Sequence, residues 1–164
     1  MELSHLNSAP ADELTTTLLA CCDVPSWADA VVTGRPYRTT EDLYAVADKA
    51  ARELTPSEVG RALAAHPRIG ERAGGGGTEA SWSRQEQAGV GPDAALQSAL
   101  LDGNRAYEDR FGRVFLICAT GLGGEEILAS LRQRLQHDDE TEAAVVAEEL
   151  RKIALLRLRK VLEP

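Results

Sequence analysis

Aromatic residues are scarce in this 164-residue chain, 4% of the total, and cysteine occurs only 3 times. Three is an odd count, Cys21 and Cys22 are adjacent, and Cys118 lies in an apolar run. That pattern spells out no disulfide framework and suits a reducing compartment, with the three thiols read as small core hydrophobes. Histidine is equally rare, His5, His66 and His137, and without paired cysteine spacing no metal site is expected. Positive charge is in deficit, 18 Lys+Arg against 26 Asp+Glu for a net charge of -8. Such a field repels phosphate backbones and anionic headgroups, so neither nucleic acid nor membrane is an expected partner. No apolar run approaches the roughly 20 residues a bilayer-spanning helix needs. The start, MELSHLNSAP, also lacks a basic stretch followed by an apolar one, so the expected setting is cytoplasmic.

What the chain does contain is helix-forming material, with 43% hydrophobic residues and enough length to bury one core without staples. Leu, Ala, Glu and Arg dominate and β-branched residues rarely cluster, so the propensities favour helix nearly throughout. The punctuation predicts helices from about Pro10 to Cys22, Ser26 to Val32, and Thr39 or Thr40 to Glu53. Thr55-Pro56-Ser57-Glu58 is a capping box that opens a helix ending at His66, because Pro67 follows. Further helices are predicted from Thr78 to Val90, from Asp93 to Phe111 with Leu96, Leu100, Ala106 and Tyr107 inward, from Gly123-Gly124 to Gln136, and from Asp138 or Asp139 to Val161. The last carries Val145, Leu150, Ile153, Leu156 and Leu158 as a broad apolar face. Gly74 to Gly77 is a flexible loop, and Val114 to Ala119 is a lone strand or a buried extended piece with nothing to pair with. The expectation is an all-α single domain over residues 1–164, a bundle of about seven to eight helices.

Two places can hold chemistry. In His66-Pro67-Arg68-Ile69-Gly70 an imidazole stands at a helix C-terminus, where the dipole favours its protonated form; the alternative is a histidine that merely caps the last carbonyls. In Ser83-Arg84-Gln85-Glu86-Gln87 helical spacing puts Ser83, Glu86 and Gln87 on one face, fit for a polar planar ligand; the alternative, commoner for this composition, is the solvated start of an amphipathic helix. The cations near the C-terminus, Arg151, Lys152, Arg157, Arg159 and Lys160, suit a helix dipole, with Arg157 set between Leu156 and Leu158. The glycine run lacks the Gly-Lys-Ser/Thr of a P-loop, and no Gly-x-Ser-x-Gly elbow occurs. Cofactor-free acid-base chemistry survives this elimination.

In order, Leu6-Asn7, Trp27-Ala28, Arg35-Pro36-Tyr37, His66-Pro67-Arg68-Ile69-Gly70, Ser83-x-x-Glu86-Gln87-Ala88-Gly89, Asn104-x-x-Tyr107-x-x-Arg110-Phe111-Gly112, Phe115 to Ala119 and Ile153-Ala154-x-x-Arg157-Leu158 resemble one family. It is the 2-oxo-4-hydroxy-4-carboxy-5-ureidoimidazoline (OHCU) decarboxylase family, which acts last in converting urate to (S)-allantoin. The resemblance spans about Leu6 to Leu162; Tyr37 stands where the family more often has Phe. It implies an all-α homodimer that needs no metal or organic cofactor and takes a small-molecule substrate. It also implies that His66 is the proton donor and Glu86 its carboxylate partner. Pro67, Ser83, Arg84, Gln85 and Gln87, the segment Phe115, Leu116, Ile117, Cys118 and Ala119, and Arg157 would bind or line the substrate.

Two rival readings remain at this level. A non-catalytic helical module could bind a purine-breakdown intermediate or a partner enzyme, and would show binding without turnover. A bundle with no small-molecule site would make every motif structural.

Overall fold

The computed structural model describes residues 1–71 and 76–163, so Gly74 and Gly75 of the four-glycine stretch lie outside the described residues. Among the described residues are nine α-helices, one 3-10 turn and no strand. The all-α expectation holds, with one helix more than foreseen. The chain divides into two compact units, Met1–Ala62 with Leu150–Pro164, and Leu63–Glu149.

The first unit holds α1 (Leu3–Ser8), α2 (Ala11–Cys21), α3 (Pro25–Thr33), α4 (Thr40–Arg52), most of α5 (Pro56–Leu63) and the second half of α9 (Asp139–Leu162). Most starts follow the predicted punctuation. The Thr39 hydroxyl accepts from Asp42 N–H at 3.1 Å, and the Thr55–Glu58 capping box closes in both directions at 2.7 and 3.2 Å, while α3 starts one residue before the expected Ser26, with Pro25 in its first turn. The unforeseen α1 has no side-chain cap and buries only Leu6, so it carries neither the periodicity nor the stop signals that announce a helix.

Leu6, Leu14, Leu18, Cys21, Trp27, Val31, Leu43 and Ala47 form this unit's buried interior. Three early motifs prove to be its fasteners. Asn7 pairs with the Tyr37 backbone in both directions, at 2.9 and 2.8 Å, and Arg35 donates to the carbonyls of Leu6 and Ala9. The Arg35–Pro36 peptide is cis, and the Tyr37 hydroxyl donates to Val31 O at 2.6 Å. Trp27 Nε1 donates to Ala47 O, tying α3 to α4.

The second unit holds α6 (Thr78–Glu86), the 3-10 turn Ala88–Val90, α7 (Ala94–Phe111), α8 (Gly124–Arg134) and the first half of α9. Ile69, Val90, Leu100, Tyr107, Phe115, Ile117, Ala119, Ile127 and Leu131 share one apolar cluster. Two glycines let backbones meet in this unit. A Cβ on Gly89 would fall 2.1 Å from Leu122 O, and one on Gly124 would fall 2.8 Å from Val90 O, so the 3-10 turn and the entry to α8 lie main chain against main chain.

Several boundaries differ from expectation. Helix α5 stops at Leu63 rather than His66, because the residue before a proline is barred from the α region and the last turn unwinds early. The expected Thr78 to Val90 helix breaks at Glu86 and tightens into the 3-10 turn. On α7 the buried stripe runs through Leu100, Asn104 and Tyr107, which leaves Ala106 exposed where it was expected inward. The residue at 104 belongs to the 3.6-residue register although its type is polar. Leu150, Ile153 and Leu158 of α9 are buried as expected, whereas Val145 is half-buried and Val146 takes the inward position.

Candidate active site

The capping box fixes where α5 begins and Pro67 fixes where it must end, which sets His66 in a turn whose N–H donates to Leu63 O at 3.0 Å. The imidazole is therefore beyond the helix rather than its last residue, yet still pinned to its final turn. His66 and Pro67 line a hollow of about 320 Å³ with Ala64, Ala65, Glu79, Ala80 and Ser83.

Glu79 and Ser83 reach that hollow from α6, four residues apart on one helical stripe, and Glu86 continues the stripe one turn on. Burial follows the same geometry: Ser83 is buried, Glu86 and Gln87 are half-buried, and Arg84 and Gln85 are exposed. Gln87 and Arg84 line a second hollow of about 530 Å³ with Gly70, Glu71, Val90, Gly91 and Gln97, among others; Gln85 lines neither.

The loop after His66 is held at every step. Ile69 is buried in the apolar cluster and its carbonyl accepts from Asn104 Nδ2 at 2.9 Å. Arg68 pairs with Glu108 of α7, and Gly70 N–H donates to Gln87 Oε1 at 2.9 Å. With φ +89, Gly70 makes a turn that a side chain would strain.

The run Phe115 to Ala119 forms no strand, and Phe115, Leu116, Ile117 and Ala119 are buried while Cys118 is half-buried. Cys118 is thus less enclosed than a core thiol, unlike Cys21 and Cys22, whose thiols burial pushes up to about 12. Backbone without a strand partner must satisfy its polar groups elsewhere. Leu116 O accepts from Arg134 Nη1 at 2.6 Å, Cys118 N–H donates to Glu149 Oε1 at 3.4 Å, and Ala119 O accepts from Leu122 N–H at 3.0 Å.

Beneath this run lies a buried charged group that the sequence reading missed. Glu142, fully buried, accepts from Arg134 Nε at 2.8 Å and from the Tyr107 hydroxyl at 2.6 Å, and its other oxygen is 3.0 Å from His137 Nδ1. The Arg134 guanidinium also lies 4.4 Å from the Phe115 ring centroid. Burial pushes the Glu142 carboxyl up, but the bonds from Arg134, Tyr107 and His137 outweigh it and hold the group below its ordinary value. Burial, then the bond to Glu142, pushes the Tyr107 hydroxyl up to about 12, so it remains a donor. In sequence Arg134 looks like a dipole cation at a helix end and Glu142 like a first-turn acid. Glu79 was missed too, although its spacing from Ser83 was the available signal.

Arg157 lies in the first unit, 1% exposed, donating from Nη1 to Ala20 O at 3.2 Å, with Cys21 and Cys22 within reach of its charge. A buried guanidinium of that kind, rather than a snorkelling one, is held for packing or for an anion. No group of three or more His, Cys, Asp or Glu side chains among the described residues is placed to hold a metal ion. No helix among them is long and apolar enough to cross a membrane.

Comparison with known proteins gives one family. The OHCU decarboxylase family model matches residues 7–159. A 2-oxo-4-hydroxy-4-carboxy-5-ureidoimidazoline decarboxylase from Amia calva is 31% identical, over 99% of this chain and 95% of that protein. The uric acid degradation bifunctional protein of Bacillus sp. (strain TB-90) is 29% identical over 98% of this chain, which spans 32% of that longer protein. Among solved structures, OHCU decarboxylase crystallised in the presence of (S)-allantoin superposes with a TM-score of 0.76 at 26% identity, over 89% of this chain and 96% of that one.

Proposed function

Since the chain belongs to the OHCU decarboxylase family, we propose that it converts 2-oxo-4-hydroxy-4-carboxy-5-ureidoimidazoline to (S)-allantoin and CO2 without a cofactor. The observation that carries the reading is the meeting of His66, Pro67 and Ser83 around one hollow, with Glu86 on the same helical stripe.

The substrate supplies its own electron sink. The bond to the carboxylate breaks, its electron pair moves toward the neighbouring ring C=N, and the nitrogen takes a proton. The hydroxyl proton then leaves as the neighbouring carbon is protonated on one face and the carbonyl of allantoin forms. The protein has to orient the ring, stabilise developing charge and direct that proton. His66 donates it, with Glu86 holding the substrate hydroxyl. Ser83 and Gln87, with the amides of 115–119, hold the ring's polar edge, and Arg157 supplies a planar fork for a carbonyl or oxyanion.

An anionic substrate approaching a chain of net charge -8 needs local positive charge, which a protonated His66 and Arg157 provide. Three further expectations accompany this reading: one catalytic domain over the chain and a cytoplasmic setting, from the composition, and a homodimer, from the family resemblance. Sedimentation and cell fractionation check the last two.

The reaction is tested by generating the unstable ureidoimidazoline in situ from urate, with urate oxidase and hydroxyisourate hydrolase, and following circular dichroism. Optically active allantoin should appear rapidly only when this protein is present. Slow racemic decay unaltered by its addition would instead favour a non-catalytic module that binds the intermediate.

A further inference from the structure

The buried charged group of the second unit has a use beyond stability. Two charges with almost no solvent exposure, Arg134 and Glu142, are expensive to bury, and an apolar pair of similar volume would often stabilise a core as well or better. The presence of such a pair calls for what a Leu or Met in its place would not do. Here that is the grip of Arg134 Nη1 on the Leu116 carbonyl at 2.6 Å, while Nε of the same guanidinium holds Glu142 at 2.8 Å. Only a planar fork makes both bonds at fixed mutual angle.

In an extended run the backbone groups of successive residues face alternate edges, and residues 114–119 form neither helix nor turn. Leu116 O and Cys118 N–H, two residues apart, are both taken by charged side chains of this unit, Arg134 and Glu149. Ile117, between them, is left to present its N–H and C=O on the opposite edge. We propose that Arg134 is a positioning residue for the decarboxylation: held by Glu142, it fixes the Leu116 carbonyl and so sets the orientation of the Ile117 peptide edge toward the substrate ring. The proposal rests on the assignment of Phe115 to Ala119 to substrate binding.

Arg134→Lys keeps the charge but cannot hold Glu142 and Leu116 O together. Its turnover should fall between about tenfold and a hundredfold, as expected for a reacting group displaced by about an ångström. Because Arg134→Met alone strands a buried carboxylate and so threatens folding, it is paired with Glu142→Gln, whose amide oxygen still accepts from Tyr107. The double variant should melt within a few degrees of the parent yet show the same fall in kcat. In both variants, hydrogen exchange read by mass spectrometry should quicken over residues 115–119 and stay slow over α7 and α8.

Parental kcat and KM in the folded double variant, or unchanged exchange over 115–119, would overturn the proposal. A lowered melting temperature with neither effect would overturn it too, since that is all a structural pair predicts. An inactive parent protein would sink the decarboxylase reading instead, and the exchange data would still decide whether Arg134 fixes the segment.

Discussion

The backbone N–H of Gly70 donates to Oε1 of Gln87 across 2.9 Å, and by that one bond the histidine-bearing loop and the C-terminal end of α6 are held in register. The two motifs lie 17 residues apart in sequence. One oxygen of Gln87 is thus committed to structure, and its amide nitrogen is what remains for a ligand.

Gln87→Leu should therefore act twice. Loss of one such bond removes about 1 kcal/mol, which for a chain of this length lowers the melting temperature by roughly 2–4 °C. The same change should lower kcat/KM by loosening the His66 loop. Calorimetry with the dichroism assay checks both; an intact melting temperature with lowered activity would mean that Gln87 serves the ligand alone.

His66→Asn should reduce turnover by at least about a hundredfold, the usual contribution of a placed proton donor, while far-ultraviolet dichroism still reports a folded, helical protein. Glu86→Ala should remove most of the activity. Near-parental rates in either variant would take that residue out of the mechanism.

Glu142→Ala leaves Arg134 buried without its counter-charge and should destabilise the protein by about 3–5 kcal/mol in urea unfolding at pH 7. The native carboxyl is held below its ordinary value of 4.5, so its stabilising contribution is fully present above that value and drains away as the pH falls through it. Glu142→Gln should accordingly lose less stability between pH 6 and 3.5 than the parent does. Equal slopes would place the acid sensitivity elsewhere.

Gly89→Ala should be poorly tolerated, since its Cβ would meet a main-chain oxygen, Leu122 O, that no rotamer change can move. Overpacking of this kind costs roughly 1–3 kcal/mol. A crystal structure or a melting curve indistinguishable from the parent's would show that the loop yields freely.

Cys21 and Cys22, buried and with thiols pushed up to about 12, should resist iodoacetamide at pH 8 in the folded protein and react in 6 M guanidinium chloride. Peptide mapping reads each site separately. Rapid native labelling at either one would mean that the first unit opens locally.

Much of the fold could be read from local chemistry. Caps act within three or four residues, so Thr39, Thr55 and Asp93 place helix starts without reference to anything distant. The motif residues at the hollow were legible through family resemblance, and Ser83, Glu86 and Gln87 shared a face by spacing. What stayed hidden depends on partners far along the chain. Asn104 enters only as one letter of a family motif until Ile69, 35 positions away, claims its amide, and Tyr107 reads only as an inward residue until Glu142 claims its hydroxyl. The early end of α5 was foreseeable in kind but not in length, because a proline says which residue is barred and not how many before it unwind.

Helix α9 gives its first half to one unit and its second half to the other, so the unit containing the N-terminus is assembled from two ends of the sequence, while residues 63–149 are contiguous. During synthesis the contiguous unit, hollow and buried charges included, has all its parts once Glu149 has left the ribosome. The other unit must wait for Leu150 onward, because Arg157 donates to Ala20 O, Arg151 pairs with Asp48 and Val161 O accepts from the Met1 amine only once the second half of α9 is made. Nonsense or frameshift changes in the codons for residues 150–164 should therefore harm the packing of residues 1–62 first, and expose apolar surface far in sequence from the site of the lesion.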